Sequence, residues 1–161
     1  MSEVVAYHEA GHAIMAHLLG GQVRQVTIEP DRDDGPQREG DTQVLWRRSR
    51  HTERAFAEVA AQVSLAGPAA EMIYTGEPYH PGHIAEWAGD WQEAWRVLAP
   101  WHADERRRLS YLEQLSANLY HRLKCDDVWP CVAALADELL AHETLDEEQI
   151  EEIMATWLGT G

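Results

Sequence analysis

The residues best suited to chemistry lie near the start of the chain, where His8, Glu9 and His12 form the pattern H-E-x-x-H. Positions four apart on an α-helix lie one turn above each other on the same face, so both imidazoles can reach one point in space. Two neutral imidazoles at that spacing chelate zinc, and the glutamate beside them can take a proton from a zinc-bound water. The pattern therefore predicts the core of a zinc hydrolase.

A chance occurrence on a surface helix is the alternative, because the chain contains nine histidines. The neighbouring side chains argue against it, since they are small or apolar and predict a buried helix. They are Ala6, Ala10, Gly11, Ala13, Ile14 and Ala16. Burying two imidazoles and a carboxylate without partners would cost about 2–7 kcal/mol for each group. A metal ion and its water would remove that cost, so the context favours the zinc site.

Length and composition predict one folded domain of 161 residues, with the metal-site half at 1–100 and C-terminal helices at 101–161. No apolar run approaches the ~20 residues of a membrane span, and the N-terminus does not have the pattern of a signal peptide, so we expect a cytoplasmic protein.

The formal net charge of −15 argues against nucleic-acid binding. We expect Cys125 and Cys131 to be isolated buried thiols rather than a disulfide.

Apolar periodicity predicts a mainly α fold, in which a zincin-like H-E-x-x-H helix belongs to a helical domain with one small β-hairpin. The expected helices are 2–19, 53–66, 69–74, 91–98, 104–124, 128–142 and 146–158, and the expected strands are 23–29 and 42–46. Gly67 and Pro68 are expected to break a helix. Leu109 is expected to face inward, residues 47–50 to form a solvated loop, and residues 75–89 to form a long functional loop.

A third zinc ligand must come from elsewhere in the chain, because catalytic zinc usually has three protein ligands. The motif with a third histidine six residues on does not fit, since position 18 is Leu18. The candidates are Asp90, Glu71, Glu86, His80 and His83. A carboxylate at a helix start is commonly just an N-cap, so these residue types alone leave the choice open.

Five segments resemble, in the same order, segments of the peptidase domain of the FtsH family, which are ATP-dependent membrane zinc metalloproteases. They are residues 6–13, which contain H-E-x-x-H, and residues 23–30, 65–76, 88–94 and 139–146. The resemblance implies that His8, His12 and Asp90 hold Zn²⁺ and that Glu9 is the general base. It also places Glu71 on a helix near the site, either accepting the far N–H of a zinc-bound histidine or serving as a surface or structural carboxylate.

The chain also departs from that family. It contains no G-x-x-x-x-G-K-[ST] motif and no membrane helix, so we expect a stand-alone peptidase domain without ATPase activity. The family's Gly-Ala-Ser-Asn-Asp is Trp87-Ala88-Gly89-Asp90 here, and the preceding loop is rich in histidine. His80 and His83 therefore stay open as alternatives to Asp90.

The expected activity is that of a zinc metalloendopeptidase, which would hydrolyse peptides or unfolded proteins with Glu9 as the base. A homo-oligomer and a separate partner that delivers substrates both stay open. One alternative is a catalytically silent binding or regulatory module with an FtsH-peptidase-like fold, and another is a zinc-free helical scaffold.

Overall fold

A computed structural model describes residues 2–30, 40–76 and 88–159. These residues form six α-helices and one three-stranded antiparallel sheet, which confirms the expected mainly α fold. In chain order the elements are α1 Ser2–Leu18, β1 Gln22–Thr27, β2 Asp41–Leu45, α2 Glu53–Thr75, α3 Ala88–Leu98, α4 Glu105–Lys124, α5 Trp129–His142, β3 Thr144–Asp146 and α6 Glu147–Leu158. Within these ranges no helix is long and apolar enough to cross a bilayer.

Helix α1 lies in the middle of the molecule. Helices α2 and α5 and strands β1 and β2 pack around it. Ala6, Ala10, Ala13 and Ile14 are fully buried. The three alanines let the neighbouring helices approach closely, and Ile14 fills the space beside them. The H-E-x-x-H pattern therefore lies on a buried helix, as its neighbours in the sequence predict.

Helix α2 runs without interruption from Glu53 to Thr75, so the predicted break at Gly67 and Pro68 is wrong. An internal proline removes one backbone hydrogen bond and costs about 3 kcal/mol, but a helix end would leave several carbonyl groups without partners. Residues 65–70 are all buried, so those carbonyls would have no water to bind. Packing against α1 therefore favours the continuous helix. Thr52 caps its start by accepting a hydrogen bond from the Ala55 N–H at 3.1 Å.

The sheet has the strand order β2-β1-β3, so the predicted hairpin gains a third strand that the sequence did not indicate. In the register, Val26 of β1 lies opposite Thr42 on one side and Leu145 on the other. Strand β3 has three residues, which is too short for a recognisable alternation of apolar and polar side chains. It pairs with β1 from the opposite end of the chain, and this pairing connects the C-terminal helices to the sheet beside α1.

The prediction that Leu109 faces inward is wrong, since its side chain is 42% exposed while Arg108 is buried. The Arg108 guanidinium donates a 2.7 Å hydrogen bond to the His102 carbonyl and lies 4.2 Å from the centre of the Trp95 ring. A buried arginine needs such partners, and helical periodicity alone does not reveal them.

Two further expectations are corrected in part. Both cysteines are free, as expected, but Cys125 is exposed and only Cys131 is buried. Residues 47–50, expected to be a loop, contain a short 3₁₀ helix at Arg48–Arg50. Most of the loop expected at 75–89 lies outside the described residues.

Candidate metal centre

Helix α1 places the imidazoles of His8 and His12 side by side, with ring centres 4.7 Å apart. The spacing of four residues puts both rings on the face that packs against α2. The His8 and His12 side chains are 18% and 12% exposed. The pair is therefore largely shielded from water, in the arrangement that H-E-x-x-H predicts.

Helix α2 contacts the Nδ1 atom of each imidazole. The His8 Nδ1 lies 3.2 Å from a carboxylate oxygen of Glu71, and the His12 Nδ1 donates a 2.7 Å hydrogen bond to the Val63 carbonyl. Acceptors at Nδ1 favour the tautomer in which the proton is on Nδ1 and the lone pair is on Nε2. Glu71 thus has the contact required for the first of its two suggested roles. Both Nε2 atoms are left to bind something else.

Helix α3 brings Asp90 to these two Nε2 atoms. The Asp90 Oδ2 is 2.8 Å from the His8 Nε2 and 3.5 Å from the His12 Nε2. Asp90 lies inside the first turn of the helix, because α3 begins at Ala88 rather than at Trp91. Across the described part of the chain, His8, His12 and Asp90 are the group of three potential metal ligands, with ligand atoms all within 4.8 Å of one another.

The donor set fits zinc. Two imidazole nitrogens and one carboxylate oxygen are common ligands of catalytic zinc, and Zn–ligand bonds of about 2.0–2.1 Å in a tetrahedron separate ligand atoms by about 3.3 Å. The distances from Asp90 to the two imidazoles, 2.8 Å and 3.5 Å, lie on either side of that value. These two distances are therefore close to those in a tetrahedral zinc site. His80, His83 and Glu86, the other candidate ligands with Glu71, lie outside the described residues.

Glu9 follows His8 on α1 and is buried, with 6% of its surface exposed. Its Oε1 accepts a 2.8 Å hydrogen bond from the hydroxyl group of Thr42, at the start of β2. Its negative charge also raises the pKa of both His8 and His12. Glu9 therefore belongs to the same electrostatic cluster as the three potential ligands.

No protein-family model matches the chain. A search of curated proteins finds 34% identity over 107 residues with the ATP-dependent zinc metalloprotease FtsH of Acidimicrobium ferrooxidans. The chain is similar to an FtsH protein. The match covers 65% of this chain, which spans 16% of the length of that relative. The similarity supports a relationship to FtsH proteins, and the zinc and protease activity named for the relative are properties of that relative.

The two imidazoles and the Asp90 carboxylate shift one another's pKa values. Burial lowers the pKa of His8, but the hydrogen bonds to Asp90 and Glu71 outweigh burial and raise it to about 10. Burial also lowers the pKa of His12, and Asp90 raises it on balance. Burial would raise the pKa of Asp90, but the charges of His12 and His8 hold it well below its usual range. Zinc bound here would therefore displace protons from the imidazoles.

Gly67 is a site residue that the sequence prediction missed. A methyl group in its place would lie 2.6 Å from His12 Cε1 and 2.8 Å from His8 Nε2, inside the space that the rings occupy. Gly67 was interpreted as a helix breaker, although a glycine within an apolar helical segment also signals a close approach. For Thr42 and Val63 the sequence carried no local signal, because each contacts the centre from another element.

Proposed function

We propose that this chain is a zinc metalloendopeptidase that hydrolyses peptide bonds in peptides or unfolded proteins. The observation that supports it best is the convergence of His8 Nε2, His12 Nε2 and Asp90 Oδ2 within 4.8 Å, beside the buried carboxylate of Glu9. The similarity to a protein named as a zinc metalloprotease supports the same activity.

The proposed chemistry divides between the ion and the chain. Zinc held by His8, His12 and Asp90 would polarise the scissile carbonyl and lower the pKa of a water molecule toward ~7. Glu9 takes a proton from the attacking water and passes it to the departing amine. Glu71 and the Val63 carbonyl keep both imidazoles in the ligating tautomer. We place this activity in the cytoplasm, with substrates that arrive unfolded or are delivered by a partner.

The test combines metal analysis with proteolysis of a disordered substrate. The purified chain should contain about one zinc per molecule, as catalytic sites do, and should release fragments from casein. A chelator should stop the release, and added zinc should restore it. Glu9→Gln should keep the zinc and lose at least ~100-fold in activity, the usual contribution of a general base. Glu148→Gln, at an exposed glutamate of α6, is the matched control and should behave like the wild type.

A catalytically silent binding or regulatory module is the second candidate. It is compatible with the same three potential ligands, because a fold and its metal site do not by themselves establish catalysis. Such a module, with or without the metal, would bind casein without releasing fragments, whereas the peptidase releases them. Absence of zinc from the purified protein and no stabilisation by added zinc would contradict the peptidase and leave a metal-free module or scaffold.

A further inference from the structure

The start of strand β2 and the residue before it pack against the side chain of Glu9. The Thr42 hydroxyl lies 2.8 Å from Glu9 Oε1 and 3.3 Å from the Glu9 backbone carbonyl oxygen. At Gly40, just before β2, there is no room for a side chain, since a methyl group there would lie 2.8 Å from Glu9 Cγ and 3.1 Å from Glu9 Cδ. The Glu9 side chain is therefore packed on one side by backbone and held at one oxygen by a hydroxyl group.

The sheet fixes Thr42 independently of Glu9. Thr42 pairs with Val26 of β1, and Val26 is fully buried. The adjacent pair in the same ladder joins Thr27 to Asp41. A hydroxyl group carries one proton to donate, and here the nearest acceptor is Oε1 of Glu9. A hydrogen bond from a neutral donor to a carboxylate is among the stronger ones in proteins. The sheet thus supplies a fixed donor to a side chain that has three rotatable bonds.

We propose that Thr42 is a positioning residue that holds Glu9 by Oε1 and leaves Oε2 to accept the proton. This proposal depends on the proposed role of Glu9 as the base. Within the described ranges, one hydrogen bond reaches the Glu9 carboxylate, and it goes to Oε1. The proton leaves the attacking water as its O–H bond breaks, forms an O–H bond with Oε2, and moves to the nitrogen of the departing amine. Thr42 keeps its own proton throughout.

The kinetic test is the isosteric variant Thr42→Val, which removes the hydroxyl group and keeps the shape. We expect kcat on a casein-derived peptide to fall about 10- to 100-fold, the value of a hydrogen bond to a charged group, while KM changes less than about twofold. Zinc content should not change, because Thr42 does not contact the metal ligands. Thr42→Ser restores the donor and should recover most of kcat.

Thr144→Val is the matched control. It removes a hydroxyl group from the same sheet, where Thr144 lies 2.7 Å from the Thr27 hydroxyl rather than near Glu9. Its kcat should match that of the wild type. A Thr42→Val enzyme with wild-type kcat, or a Thr42→Ser enzyme as slow as Thr42→Val, would overturn the proposal.

A second measurement does not need activity. If the wild type shows no chelator-sensitive hydrolysis, the proposed function fails, and the Thr42–Glu9 contact is still tested by the unfolding temperatures of Thr42→Val, Glu9→Ala and the double variant. Contact predicts that the double variant loses about 2–6 °C less than the sum of the single losses. Additive losses would show that Thr42 does not hold Glu9 and would refute the proposal.

Discussion

Glu71 is the residue whose contribution to the centre is easiest to isolate, because it contacts His8 without facing the metal position. Its carboxylate lies 3.2 Å from His8 Nδ1, on the far side of the ring from Asp90. Partners of this kind fix the ring orientation and make the imidazole a stronger ligand.

Glu71→Ala should therefore weaken zinc binding about 10- to 100-fold, as measured by competition with a chelating dye. Glu71→Gln should have a smaller effect, because its amide oxygen can still accept the hydrogen bond. Glu53→Ala, at an exposed glutamate on the same helix, is the control and should leave the affinity unchanged. Equal affinities for Glu71→Ala and the wild type would show that the contact is only structural.

The raised pKa of His8 predicts opposite effects of pH on the metal-free and zinc-loaded proteins. A folded-state pKa of about 10, above the ordinary value of 6.5, means that charged His8 stabilises the metal-free protein fully below pH 6.5. That stability is lost as the pH rises through about 10. Zinc binds the unprotonated rings, so its affinity rises over the same range. The difference in unfolding temperature between zinc-loaded and chelator-treated protein should grow from pH 6 to pH 8, as calorimetry can measure. A constant difference would contradict the proton displacement.

Among the elements, α1 and α2 approach each other closely near the metal ligands, and Gly67 permits it. Gly67→Ala should weaken zinc binding by more than about tenfold, because the added methyl group meets both imidazoles. Alanine also favours the helical conformation by about 1 kcal/mol over glycine, so lost affinity without lost helicity is the expected signature.

Gly89→Ala separates these two effects. Gly89 lies in α3, and beyond its chain neighbours and the backbone of its own helix no described atom lies within 4 Å of the position its added methyl group would occupy. The substitution should change helix propensity in the same direction and leave zinc affinity unchanged. Circular dichroism and zinc titration of both variants provide the comparison. Unchanged zinc affinity in Gly67→Ala would mean that the rings can move aside at no cost.

In these elements, local features could be predicted from the sequence and long-range contacts could not. His8 and His12 are local to one helix, so helical periodicity alone predicted that they share a face. Asp90 reaches them from a distant helix. Residue types and spacing alone do not select it as the third ligand, and only the resemblance to the FtsH family does. The continuity of α2 could not be predicted from local propensity, because packing of α1 against residues 65–70 overrides the preference of Gly67 and Pro68. Strand β3 was missed because its pairing with β1 is also a long-range contact.

At the scale of the whole molecule, the candidate metal centre brings together side chains from helices that are far apart in the sequence. His8 and His12 lie on α1, Asp90 lies on α3, and α2 packs against both while contacting the imidazoles. An ion bound by these ligands stabilises only the folded arrangement, because the unfolded chain does not hold the three groups together. Zinc should therefore raise the stability of the entire domain.

The coupling between zinc binding and stability also tests the identity of the third ligand. Zinc at about 100 times its dissociation constant adds about 2.7 kcal/mol, which raises the unfolding temperature of a chain of this size by about 5–10 °C. Asp90→Asn keeps the shape, removes the negative charge, and should lose most of that increase. Asp127→Asn, which breaks only an exposed 3.0 Å pair with Arg122, should keep it. An undiminished increase in Asp90→Asn would exclude Asp90 as the ligand, and the same measurement on His80→Ala and His83→Ala would then show which alternative binds the ion.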